Sequence, residues 1–232
     1  MQEETLTLEQ VDVDGAIRET VEKVAGDTRA GFLARAGMLG GGLLGGGALL
    51  GLMAEGAQAQ SSSDIAILNF ALTLEFLEAA FYTEAEKMGG FSGELRTFNR
   101  VVLGHERTHV QALKQVLGRQ AVKSPKFNFR GTTESAKKFK ATAQVLEDTG
   151  VTAYKGQAPL IKSDAVLSAA LAIHTVEARH ASWIRSINGT SPAPRAFDQP
   201  ASMKKVLAEV AATHFIVAPR RTGGRGRPPF TG

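Results

Sequence analysis

Residues 70–82 read FALTLEFLEAAFY, an apolar stripe at helical spacing that nevertheless carries glutamates at 75 and 78. Burying an ionised carboxylate without a partner is strongly unfavourable. The helix containing this stretch must therefore bring its glutamates to a counter-charge. One long helix is expected over 64–88: a serine and an aspartate suit its start, apolar residues recur every three or four positions, and Gly89 and Gly90 end it.

The residues that follow repeat this helical character. A second helix is expected over 92–117, ended by Gly118. Residues 118–132 (GRQAVKSPKFNFRGT) have a proline and no helical period. Extended, they reach roughly 50 Å, enough to run the length of a helix of about 37 Å. A third helix is expected over 133–157, with Gly150 a weak spot inside it, and a fourth over 163–187. After the loop NGTSPAPRAFDQP, the stretch ASMKKVLAEVAATHF reads as a shorter fifth helix. This order predicts an all-α four-helix bundle over 60–190, with one long crossover and a short fifth C-terminal helix within 191–217.

Two Glu-x-x-His motifs, Glu106 with His109 and Glu177 with His180, each place both side chains on one side of a helix. One such pair is weak evidence, because most are surface contacts. Here each pair follows a glutamate at nearly the same distance: Glu75 lies 31 residues before Glu106, and Glu147 lies 30 before Glu177. Each of these glutamates has a tyrosine seven residues later, Tyr82 and Tyr154, and these are the only tyrosines in the chain. Seven residues is close to two turns. The pattern is an internal repeat of a helical hairpin.

Residues in an antiparallel hairpin are level when they are equidistant from its turn. The midpoint of 75 and 106 falls in GGFSG (89–93), and that of 147 and 177 falls in APLIKSD (158–164), where the turns are expected. Four carboxylates and two imidazoles thus converge inside an apolar bundle, where they would repel one another without cations between them. Glu78 is the rival of Glu75, since its stripe is also apolar; the tyrosine spacing and the level rule favour Glu75. His105 and His174 do not repeat each other and are expected on the polar face or beside the ligands. His214 has no evident partner, and Trp183 is expected in core packing.

With LNFALTLEFLEAAFY (68–82) and GHERTHVQAL (104–113), the sequence resembles the ferritin-like superfamily, in particular bacterial and plant members that include desiccation-related proteins. The resemblance implies that Glu75, Glu106, His109, Glu147, Glu177 and His180 hold two metal ions, with Glu106 and Glu177 bridging. Tyr82 and Tyr154 would act catalytically beside them, orienting a carboxylate or donating an electron. Hard carboxylates with imidazoles suit Fe or Mn. The expected activity is oxidation of Fe(II) or decomposition of peroxide, with dioxygen, peroxide or Fe(II) as small partners. The alternative is a non-catalytic stress- or desiccation-associated structural or binding protein on the same fold.

The chain has no cysteine, which excludes disulfides, Fe–S clusters, thiolate-bound zinc and a thiol nucleophile. Residues 1–59 read as a leader: Arg29 and Arg35 precede an uncharged run from Ala36 to Ala54, and Ala57 and Ala59 offer an A-x-A cleavage site. This resembles a twin-arginine export signal, although TRAGFL stands where adjacent arginines are expected. An N-terminal membrane anchor is the alternative, and export is otherwise the only membrane relation expected. The leader holds four basic and nine acidic residues of the chain's 27 and 23, which leaves the remainder at a formal +9. The Arg/Gly/Pro-rich stretch 218–232 is expected to be a solvated tail without specific nucleic-acid binding, and a homo-oligomer is compatible with the pattern.

Overall fold

The computed structural model describes residues 61–217. The expected leader over 1–59 and the expected tail over 218–232 lie outside the described residues. Among the described residues five α-helices form: α1 (Ser62–Met88), α2 (Gly93–Leu117), α3 (Ala136–Gln157), α4 (Asp164–Ile187) and α5 (Met203–Thr213). Two strands of two residues each, β1 (Lys126–Phe127) and β2 (Ile216–Val217), complete an otherwise all-α structure. The first four helices make two hairpins, α1 with α2 and α3 with α4, which meet along α1–α3 and α2–α4.

Serines set most of the helix starts. The hydroxyls of Ser61, Ser135, Ser163 and Ser202 accept the backbone N–H of Asp64, Lys138, Val166 and Lys205 at 3.1–3.4 Å. Helix α3 begins at 136 rather than the expected 133. Arg130 and Gly131, at φ of 55° and 73°, turn the chain first. Thr133 then sits outside the helix, with its hydroxyl donating to Glu84 at 2.7 Å. Helix α3 passes through Gly150 without a break. Helix α5 stops at His214, whose φ of 55° ends the helical path.

Long-range polar contacts pin the crossover. The Asn69 side chain donates to the Gln120 carbonyl at 3.0 Å and accepts from Val122 N–H at 2.8 Å. Further on, β1 pairs antiparallel with β2, Lys126 opposite Val217, so the segment after α5 straps the crossover down. Behind this ribbon Phe129 packs edge-on against Phe81 and Phe215. The approach to α5 lies against α3: Ala201 N–H donates to the Thr152 carbonyl at 2.9 Å. A Cβ on Gly156 would stand 1.9 Å from the Ala201 carbonyl oxygen, so only glycine admits this crossing.

Aromatic packing fills one end of the bundle. Phe81, Tyr82, Phe98 and Phe139 are fully buried, and the Phe81 and Phe139 rings stack at 5.2 Å. Trp183 packs edge-on against Phe98 and donates to Glu94 at 2.9 Å, a packing role. By length and composition α1 would suit a membrane span, yet here it is a core helix with Glu75 and Glu78 on its buried side.

Asp64, 1% exposed, reaches from the start of α1 to the turn between α3 and α4, where its two oxygens accept the N–H groups of Lys162 and Ser163 at 3.0 and 3.1 Å. Removing it strands both donors. Asp64→Ala is expected to destabilise the fold by about 1–3 kcal/mol, read as a lower denaturant midpoint; an unchanged midpoint would contradict this role for the carboxylate.

Candidate metal centre

The hairpin repeat determines where the site forms. Glu75 on α1 and Glu106 on α2 flank the 89–92 turn evenly, and Glu147 on α3 and Glu177 on α4 flank the 158–163 turn to within three residues. All four carboxylates are 0% exposed, and His109 and His180 are 7% and 2% exposed. The structure brings these six side chains together as two overlapping groups. One comprises Glu75, Glu106, His109 and Glu177, and the other Glu106, Glu147, Glu177 and His180; the candidate donor atoms of each lie within 4.8 Å of one another. Glu106 and Glu177 belong to both groups.

The contacts occur in matched pairs. His109 Nδ1 stands 3.1 Å from Glu75, 3.3 Å from Glu106 and 3.2 Å from Glu177. His180 Nδ1 stands 3.3 Å from Glu147, 3.9 Å from Glu177 and 3.1 Å from Glu106. The tyrosines cross over: Tyr82 donates to Glu147, and Tyr154 donates to Glu75 at 2.5 Å. The later residue of α1 thus meets the earlier of α3 and the reverse, so these helices are antiparallel. In such a pair, residues whose numbers share one sum are level, and 75 with 154 and 82 with 147 share it. Seven residues on from its own glutamate, each tyrosine is level with the glutamate of the other hairpin. The spacing identified the tyrosines as site residues but could not say which carboxylate each one holds.

Several buried atoms here lack hydrogen-bond partners: both oxygens of Glu106 and of Glu177, Glu147 Oε2 and His180 Nδ1. Their neighbours are near but not aligned for hydrogen bonding. Two donors each about 2.1 Å from a common centre, at right angles to each other, would be separated by roughly 3 Å. The observed separations are of that size, so this donor set fits metal ions placed between its members.

Electrostatics point the same way. Burial, then repulsion from Glu177, raises Glu106 well above the usual carboxylate range. Burial also raises Glu147, and although His180 opposes this it stands at about 7. Burial would raise Glu177 too, but the imidazoles of His109 and His180 bring it down to about 2. Against the lowering effect of burial, Glu147 and its neighbours push His180 up to about 12. Glu75, in the same way, leads the groups that raise His109. The tyrosines are raised by burial first, then by Glu147 for Tyr82 and by Glu75 for Tyr154, so both keep their protons to donate.

Two further residues adjoin the centre. Glu78 is 3% exposed and so is buried alongside Glu75 rather than replacing it. His105, exposed on α2, places Nδ1 2.8 Å from His180 Nε2, with the rings stacked at 5.1 Å. Its position one residue before Glu106 gave no sign that its partner would be on α4. His174 is not drawn into either group; its Nε2 is buried without a partner. At the far end of the crossover, the His214 carbonyl accepts from Arg130 at 3.4 Å.

A search among curated proteins finds no match to this chain. A family model described as a ferritin-like domain matches residues 63–190, from the first turn of α1 past the end of α4, including both donor groups. The chain therefore belongs to the ferritin-like domain family.

Proposed function

We propose that the bundle binds two Fe or Mn ions and uses them as an oxidoreductase, with Fe(II) or peroxide as the substrate. The observation that supports this most is a charge imbalance. Glu75, Glu78, Glu106, Glu147 and Glu177 are buried with two imidazoles. Five ionised carboxylates against two protonated histidines leave three negative charges unmet, whereas two divalent cations with neutral histidines leave one. Glu75 and His109 would hold one ion, Glu147 and His180 the other, and Glu106 and Glu177 would reach both. The carboxylate and imidazole donors favour Fe and Mn over softer metals. Bound there, such ions supply one-electron redox chemistry.

The protein's own part is to orient and enclose. Tyr82 and Tyr154 each occupy one carboxylate oxygen and leave the other turned to the centre, Glu147 toward His180 and Glu75 toward His109. With an ion held at its inward Nδ1, His180 would carry its proton on Nε2, 2.8 Å from His105 Nδ1, which would accept it. Phe81, Phe98 and Phe139 seal the Tyr82 end against water. The leader pattern supports export, by the twin-arginine route, to the periplasm, cell envelope or exterior.

Metal analysis after growth with both Fe and Mn is expected to find about two ions per chain, falling sharply in the Glu106→Ala, Glu177→Ala variant. Little metal, unaffected by those changes, would sink the reading and leave a structural bundle. Mass measurement of the exported protein is expected to place its new N-terminus after Ala59; an intact leader would favour the anchor.

The metal-free protein should also respond to pH. Glu147 binds its proton more tightly when folded, so its stabilising contribution is present below the usual carboxylate value of 4.5 and is lost as pH rises through about 7. Glu106 and Glu78 shift in the same direction. Glu177 acts oppositely, but its contribution is lost only as pH falls from 4.5 through about 2. The melting temperature of the metal-free protein is therefore expected to fall between about pH 4.5 and 8, and added Mn(II) should restore it. A flat profile would contradict this.

A further inference from the structure

The two hairpins match residue for residue across the centre. Glu75 and Tyr82 on α1 correspond to Glu147 and Tyr154 on α3, an offset of 72 residues. Glu106 and His109 correspond to Glu177 and His180, an offset of 71. By these offsets Glu78 corresponds to Gly150, where no side chain stands. The glycine does not break α3, so its meaning is to be found in the space it leaves.

That space is taken by one carboxylate from each hairpin, Glu177 from α4 and Glu78 from α1. A Cβ on Gly150 would lie 3.2 Å from Glu177 Oε2 and 3.5 Å from Glu78 Oε1. The two oxygens are therefore at most 6.7 Å apart, the sum of those distances. Glu177 Oε2 is the oxygen turned toward His180, while Oε1 faces His109. Gly150 lies one turn beyond Glu147 on the same helix. Glu78 is 3% exposed and its carboxylate makes no hydrogen bond among the described residues. The charges acting on it most strongly are those of Glu177, then Glu147. Glu78 stands outside both four-residue groups, but a buried carboxylate without a hydrogen bond, set beside one of them by a gap in the helix opposite, is relieved either by a proton or by a cation.

We propose that Glu78 is a fifth donor to the metal position formed by Glu106, Glu147, Glu177 and His180, making that position the tighter of the two. This rests on the two-metal reading above. The position near Glu75 and His109 has four donors, and the glycine that clears the way for Glu78 has no equivalent in that half, where Glu78 itself stands. A further anionic oxygen strengthens the binding of a hard divalent cation. The centre therefore fills in order, the Glu147–His180 position first.

The test is a titration of the full chain, stripped of metal, with Mn(II), following free Mn(II) by electron paramagnetic resonance. The native protein is expected to bind two ions in separable steps, the first about tenfold or more tighter than the second. Glu78→Gln keeps the shape but removes the charge, and should weaken the first step by about tenfold or more while leaving the second. Gly150→Ala should do the same from the opposite side, by putting a methyl group against Glu78 and Glu177. Metal-free Glu78→Gln is expected to melt higher than the native protein, because the cost of burying an ionisable carboxyl is gone, which separates lost affinity from misfolding. Two equal steps in the native protein, or unchanged steps in both variants, would overturn the inference and leave the two-metal reading standing. No Mn(II) binding by the native protein would overturn both.

Discussion

Five carboxylates buried around two imidazoles constrain everything else in this bundle. Each lies on a helix stripe that would otherwise be pure core, so the apolar packing that holds the four helices together also removes the water that could screen the charges. The resulting repulsion is visible in Glu106 and Glu78, both pushed well above the usual carboxylate range, first by burial and then by Glu177. Such a centre stores unfavourable energy until cations or protons arrive. The remainder of the fold keeps the helices from spreading apart: the Asp64 clasp on the far turn, the Asn69 hold on the crossover, and the short ribbon between β1 and β2.

The tyrosines show how register turns two separate hairpins into one site. Within each hairpin the turn makes Glu75 level with Glu106 and Glu147 level with Glu177, but no turn joins the hairpins to each other. Their alignment depends on the crossover and on contacts along α1–α3 and α2–α4. Tyr82 with Glu147 and Tyr154 with Glu75 lock the first of these faces. His109 near Glu177 and His180 near Glu106 mark the matching register on the second. A one-turn slip between the hairpins would break all four contacts together.

Much of this was legible in the sequence because it depends on local periodicity. The helices, the two Glu-x-x-His pairs and the level glutamates follow from spacing within one hairpin, and the structure differs mainly in starting α3 three residues later. The remainder depends on which residues become neighbours across hairpins. Asp64 looked like a capping residue, and nothing nearby indicated that it would hold Lys162 and Ser163. The spacing favoured Glu75 over Glu78, but residues three apart share a helix face, and both are buried. His105 was expected on the polar face or beside the ligands, but nothing in its own helix showed that it would meet His180 from another one. The β1–β2 ribbon joins segments about ninety residues apart, and two residues per strand leave no alternation to read.

The departure of Glu78 and Gly150 from the repeat follows from space and charge together. A centre made by two like hairpins would be symmetric if both α1 and α3 carried a glutamate one turn past the first. Sterics work against that version here, because a Cβ at 150 would already stand 3.2 Å from Glu177 and 3.5 Å from Glu78, and a longer side chain would have to displace both carboxylates. Charge opposes it as well: a sixth buried carboxylate would add to the repulsion that already acts on Glu78 and Glu106. One half must then give up its side chain so that the other can extend into the middle. The same asymmetry recurs at the outer edge, where His105 meets His180 while Val176, at the corresponding position, has no nitrogen to offer His109. The two halves share a backbone plan, but their donor atoms and their contact with solvent differ, and a repeat of like hairpins becomes a centre with two unlike sides.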